Sequence, residues 1–270
     1  NIMNKIFEGS DVVMQTQVLQ SHGTGITDPS LVKDWHTRTL FLVRESIYWY
    51  TEKKAEWKNL NCSQIEDIKL CDISMVNDDF VFGMIIAVIS GHNFIWGFKN
   101  FDDRLHWTLV LKAHISGNPI LTAFINPGIT NLHVALLCKY ILNTEHPSWL
   151  KIMQNPQLYQ KEIRKSDTAG VTPLHIASYC NLVSEAKIFL QYGSYINVQM
   201  DFQKLSPLHL SLLGGCFNVF DLLLEHKANP DVINEQGDSV KMLVKREYQW
   251  TKYECRLEQN CYVKLEWNYQ

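Results

Sequence analysis

The chain has 270 residues, 46% of them hydrophobic and 20% charged, an ordinary globular composition long enough for two domains. Its 25 Lys and Arg against 28 Asp and Glu leave a net charge of −3, which argues against a nucleic-acid binder. No apolar run approaches the ~18 residues that a membrane-spanning helix needs. No basic segment leading into an apolar core opens the chain, so no secretory signal is expected. The start at Asn1, not Met, is what a piece cut from a longer protein would show.

Residues 10–100 alternate in short apolar and polar runs. His22-Gly23-Thr24-Gly25 reads as a flexible loop and not a phosphate cradle, because no helix start follows it. Thr39-Leu40-Phe41-Leu42-Val43 and Ser46-Ile47-Tyr48-Trp49-Tyr50 are rich in β-branched and aromatic residues, with only Arg44 and Glu45 between them. That spacing predicts two strands and a tight hairpin. Further strands are predicted at Ile65–Asp72, Phe80–Ile89 and Asn93–Phe98, with a turn at Ser90-Gly91-His92-Asn93. Short strands at this spacing suggest a small sandwich or barrel. The period then changes. Across Phe101–Ile115, Leu105, Leu109, Leu111 and Ile115 fall near one helical face, with Trp107 and Val110 adjoining. Asp102 and Asp103 suit the positive end of the helix dipole, and Gly117 is a typical stop.

Two segments carry a family resemblance. Trp35-His36-Thr37-Arg38-Thr39-Leu40-Phe41-Leu42 looks like the second strand of a pleckstrin-homology (PH) domain. Arg104-Leu105-His106-Trp107, with Leu111 a turn later, looks like that family's closing helix and its buried Trp. The resemblance covers residues 5–117 and implies an α+β fold, a small β-barrel with a carboxy-terminal helix. Lipid-binding PH domains hold phosphates with a first-strand Lys and a second-strand Lys-x-Arg. Here the second motif is His36-Thr37-Arg38, and Gln15 and Gln17 occupy the first-strand positions. Lys33, Lys53, Lys54 and Lys58 are expected to contribute from loops. Residues 1–117 hold 11 Lys or Arg against 14 Asp or Glu. Each cation near a membrane surface is worth only about 1 kcal/mol. The expected role is therefore packing or weak membrane binding, with phosphoinositide-dependent targeting as the alternative.

Asn118-Pro119 and Asn126-Pro127-Gly128 bracket an expected connector, 118–127. One unit is then written repeatedly: Gly128-Ile129-Thr130-Asn131-Leu132-His133-Val134-Ala135, Gly170-Val171-Thr172-Pro173-Leu174-His175-Ile176-Ala177 and Lys204-Leu205-Ser206-Pro207-Leu208-His209-Leu210-Ser211. His175 and His209 lie 34 positions apart, while His133 and His175 lie 42 apart. The surplus is expected in 144–148 or 154–157. Second helices are visible at Ser184–Gly193 and Phe217–His226. A fourth, decayed unit would put Met242 in the histidine position. Lys204 stands where the turn wants positive φ, at some strain. The repeated motif resembles the ankyrin repeat, a β-turn followed by two helices. The resemblance implies an all-α solenoid over 128–247 that binds a protein partner with its tips and first-helix faces. Those positions are Thr168, Ala169, Val171, Tyr179 and Cys180, then Phe202, Gln203, Leu205, Leu212 and Leu213. The aromatic tail 248–270 is expected to cap the array.

The remaining chemistry is sparse. His133, His175 and His209 are explained by the repeat, and the other histidines share no ligand spacing. No nucleotide, nucleophile-elbow or zinc-protease motif occurs. The seven cysteines form no Cys-x-x-Cys pair, which suits a reduced cytoplasmic protein. The sequence thus predicts a multidomain, non-enzymatic adaptor with no cofactor or metal and no nucleic acid. Peripheral membrane association, or a regulatory fragment of a small-GTPase regulator, stands as the alternative.

Overall fold

The computed structural model describes residues 12–24, 28–32, 34–43, 45–51, 54–73, 79–126 and 128–246. Residues 5–11, Lys33, Lys53 and the predicted cap 248–270 lie outside that set. The chain divides into two compact units, Asn1–Pro127 and Gly128–Gln270.

The first unit contains β1 (Val12–Thr24), β2 (His36–Val43), β3 (Ser46–Thr51), β4 (Glu56–Asn61), β5 (Ile65–Asp72), β6 (Phe82–Val88) and β7 (His92–Phe98). They form one antiparallel sheet in the order β4-β3-β2-β1-β7-β6-β5. The long β1 joins its two halves. Val12–Gln20 pairs with β2, and Leu19–Thr24 pairs with β7. Opposite Gly83 on β6 lies Gly97 on β7. A Cβ on Gly83 would lie 2.7 Å from Ile73 Cγ2, and one on Gly97 would run into Ile73 Cδ1. The two bare backbones let Ile73 pack with Leu19 and Phe80, flanked by Trp35 and Cys71.

Helix α1 (Phe101–Ile115) follows. Asn100 caps it, its side-chain oxygen accepting from the Asp103 N–H at 2.7 Å. Gly117, at φ 63°, lies just beyond its end. Burial extends well beyond one stripe, taking in Leu105, Trp107, Thr108, Leu109, Val110, Leu111 and Ala113. Trp107 is fully buried and meets Trp96 of β7 edge-on, with ring centres 5.8 Å apart.

Three expectations change. His22-Gly23-Thr24 is no loop: it is the end of β1, paired with Phe94, Asn93 and His92. Strand β4 was not anticipated, because Glu56-Trp57-Lys58-Asn59 is polar where a strand was sought; Lys58 therefore stands on a strand. The connector is not bare chain. It holds α2 (Pro119–Ala123), capped by the Asn118 side chain, and Leu121, Phe124 and Ile125 are buried.

The second unit begins with α3 (Asn131–Leu137), a wide π turn at Cys138–Leu142, α4 (Pro147–Gln154) and α5 (Gln160–Arg164). Two regular helix pairs follow, α6 (Pro173–Tyr179) with α7 (Val183–Gln191) and α8 (Pro207–Leu213) with α9 (Phe217–Glu225). Helix α10 (Val240–Arg246) ends the described chain. The first helices α3, α6, α8 and α10 pack in succession, and each second helix packs on its own first helix. The surplus of the first repeat lies mainly between α3 and α4, where residues 138–146 replace the short links 180–182 and 214–216.

Candidate functional site

The first unit has a cleft of about 420 Å³ where the starts of β2, β4 and β7 meet the ends of β1 and β3. His22 and Gln20 reach it from β1, His36 and Arg38 from β2, Lys58 from β4 and His92 from β7. His22 Nδ1 lies 3.2 Å from His92 Nε2. His22 is exposed, and partial desolvation together with the neighbouring His92, Lys58 and His36 lowers its pKa. Of the residues named for phosphate contact, His36 and Arg38 line this cleft, while Lys54 is exposed and outside the lining. Gln15 and Gln17 point to solvent. The first-strand residues that line the cleft are Gln20 and His22, further along the strand. A count of Lys and Arg alone passed over His22 and His92.

Among the described residues no three His, Cys, Asp or Glu gather where they could hold a metal ion. Burial pushes the Cys62 and Cys138 thiols up to about 12 and Cys71 to about 11, so none of the three offers a thiolate near neutral pH.

In the second unit the first helices α3, α6 and α8 open on a hydroxyl and an imidazole three residues later. Thr172 N–H donates to His175 Nδ1 at 3.0 Å, which leaves the proton on Nε2 to bond the Val198 carbonyl at 3.1 Å. Ser206 N–H donates to His209 Nδ1 at 3.3 Å, and His209 Nε2 bonds the Asp238 carbonyl at 3.3 Å. Thr130 Oγ1 meets His133 Nδ1 at 2.6 Å, and His133 Nε2 bonds the Val171 carbonyl at 2.9 Å. Each ring thus ties a helix start to the turn that leads into the next repeat. All three are buried as neutral imidazoles, and burial holds their pKa below the usual value. The fourth unit keeps the hydroxyl only. Ser239 Oγ accepts from Met242 N–H at 3.3 Å, and the Met242 side chain is exposed.

The turn tips are chained as well. Asp201 N–H donates to the Ala169 carbonyl and Glu235 N–H to the Gln203 carbonyl, both at 2.9 Å. Gly170 and Gly237 supply the positive φ of their tips. The middle tip does without glycine: Gln203 sits at φ 53° and Lys204 at φ 51°. The expectation for Lys204 holds, and Gln203 shares the strain.

Residues 132–234 match the ankyrin-repeat family model, in three copies. A fowlpox virus (strain NVSL) protein, FPV232, described by name as an ankyrin repeat protein, is 34% identical over 84 residues. That match takes in 29% of this chain and 17% of the viral protein, so the chain spans a small part of this relative's length.

Four members of the predicted face prove to be core. Val171, Cys180, Leu205 and Leu212 are buried. Val171 and Leu205 immediately precede the helix caps and turn inward with them. Cys180 and Leu212 lie four residues after the buried Ile176 and Leu208, on the same helical face. Thr168 and Leu213 are exposed, and Ala169, Tyr179, Phe202 and Gln203 are half-buried. A further set of large apolar side chains, Leu150, Met153, Leu158 and Tyr195, is exposed at positions other than those predicted. A search confined to tips and first helices could not find it.

Proposed function

We propose that this chain is a non-enzymatic adaptor whose repeat array holds a protein partner. The observation that carries this reading is the commitment of His133, His175 and His209 to bonds within the array. They fix the tips, while Thr168, Phe202, Gln203, Tyr179 and Leu213 remain wholly or partly open to solvent. Rigid repeats that present side chains along one face are the way such arrays bind other proteins.

The first unit, on this reading, is a PH-like domain over residues 5–117. Its seven strands, the shared β1 and the closing helix with buried Trp107 support that assignment. The basic cleft favours a second role in weak, charge-dependent membrane association. Among the described residues no helix is long and apolar enough to cross a membrane.

The test is affinity capture with the full chain beside a Phe202→Ala, Tyr179→Ala variant of unchanged melting temperature. Proteins kept by the wild type and lost by the variant support the reading. Equal retention by both overturns the assigned face.

A further inference from the structure

We propose that a groove in the first repeat docks an acidic segment of a protein partner, with Lys151, Lys161 and Lys165 meeting its carboxylates and Ile129 and Tyr159 its apolar side chains. The inference rests on the reading of the array as a partner-binding module, but none of the residues assigned above to the partner face lines this groove.

The first observation is the charge of the lining. The groove has a volume of about 770 Å³, and every residue that lines it belongs to the second unit. Its charged members are Lys151 from α4, Lys161 and Glu162 from α5, and Lys165 just past the end of α5. All four are exposed, and among the described residues none of them makes an ion pair. By contrast, Lys139, Lys204, Lys241 and Arg246 each pair with a carboxylate. Lys161 and Lys165 are also four positions apart, a like-charge spacing that costs a helix stability and gains nothing within the fold. Three unpaired ammonium groups against one carboxylate leave the groove positive, which draws in a segment of opposite sign.

The second observation is the element that builds it. Helix α5 has no counterpart in the next two repeats. Between the second helix and the following tip they carry turns and extended chain, over 192–200 and 226–232. The first repeat instead carries a 3-10 turn, Pro156–Tyr159, and then α5. That departure brings Tyr159, Lys161 and Lys165 to the groove. The regular repeats stack without such an element, so stacking alone does not account for it. Ile163 is fully buried and anchors α5, so the lysines stand on a fixed support.

The third observation is the chemistry of the walls. Ile129 and Tyr159 are half-buried, and the lining also takes in the buried Leu132 and Ile152. Apolar walls suit a peptide with an apolar side chain better than a small inorganic ion. The cations are all lysines, compact point charges without the planar fork that grips a phosphate at two points, and they suit carboxylates spaced along a chain. A nucleic-acid backbone is disfavoured by the net charge of −3 on the whole chain.

The test is fluorescence anisotropy of a labelled Glu-Glu-Leu-Glu-Asp-Leu-Glu-Glu peptide titrated with the full chain. The wild type should bind it, and a Lys161→Glu, Lys165→Glu variant should bind at least about tenfold more weakly. Lys187→Glu, Lys245→Glu makes the same change in net charge at exposed positions outside the groove, and its affinity should stay within about twofold of the wild type. Tyr159→Ala should weaken binding at about 0.5 M salt as well as at about 0.05 M, because an apolar contact is not screened. The peptide with Gln for Glu and Asn for Asp should not bind. Circular dichroism melts confirm that each variant is folded. Equal losses in the two charge-reversal variants, or equal binding of the neutral peptide, overturn the proposal. A single-stranded oligonucleotide of equal charge that displaces the peptide at a lower concentration also overturns it and makes the groove a nucleic-acid site. Failure of the wild type to bind the peptide overturns the groove alone, since the adaptor reading is tested separately by capture with Phe202 and Tyr179 replaced.

Discussion

His175 bridges Thr172 and Val198: its Nδ1 accepts from the Thr172 N–H at 3.0 Å while its Nε2 donates to the Val198 carbonyl at 3.1 Å. One neutral ring thereby satisfies a helix-start donor and the carbonyl of the chain entering the next repeat. His133 and His209 repeat the relationship on either side. The stability of the array is thus distributed over its repeat interfaces.

His175→Ala should cost about 2–4 kcal/mol, because it leaves a cavity and unpairs a buried N–H and a buried carbonyl. Phe202→Ala, at a half-buried tip, should cost about 1 kcal/mol or less. Urea unfolding of both variants checks the contrast. Equal losses would make Phe202 a core residue and move the partner face elsewhere.

Acid should weaken the array. The three repeat histidines have native pKa values lowered by burial, His175 to about 4. In the unfolded chain they titrate near 6.5. The unfolded state therefore binds protons that the native state refuses. Stability is fully present above about pH 6.5 and falls as pH drops toward about 4, by about 1.4 kcal/mol for each unit of depression. Urea midpoints across that window should decline, and the decline should be shallower in His175→Gln. A flat profile would contradict neutral burial of the rings.

Trp107→Ala should destabilise the first unit by about 3–5 kcal/mol. The ring is fully buried and its edge-on contact with Trp96 is lost with it. Tryptophan fluorescence during denaturation reads the effect. A loss below about 1 kcal/mol would mean that the helix does not close the sheet as described.

Glu185 is buried on α7 and paired with Lys139 of the first repeat, whose ammonium also lies 6.0 Å from the Trp149 ring centre. Lys139→Met should cost about 2–3 kcal/mol, since it strands a buried carboxylate; the fully buried case is harsher, but Lys139 is 36% exposed. Adding Glu185→Gln should recover most of the loss. Thermal melts of the single and double variants give the comparison, and additive losses would deny the coupling.

The repeats were legible because each is a local device. Hydroxyl, Leu and His recur at one fixed spacing, with Pro between them in the second and third units, and the ring they place reaches only the next turn along the chain. Helix α1 was legible for the same reason, through its period, the Asp102 and Asp103 at its start and Gly117 past its end. Val171, Cys180, Leu205 and Leu212 were misassigned because a resemblance supplies positions and not the direction of a side chain; burial decided that.

The sequence by itself determined several of the strands, the helix Phe101–Ile115 and the periodic array, and it holds no familiar catalytic motif. These follow from spacings shorter than a repeat. Only tertiary structure decided the cleft. His22 and His92 lie 70 positions apart and meet because the second half of β1 leaves β2 to pair with β7. Strand register is a long-range choice, and a slip of one residue would turn His22 and Gln20 to the opposite face. No local pattern encodes that choice, because it comes from how the whole sheet closes over Trp96 and Trp107.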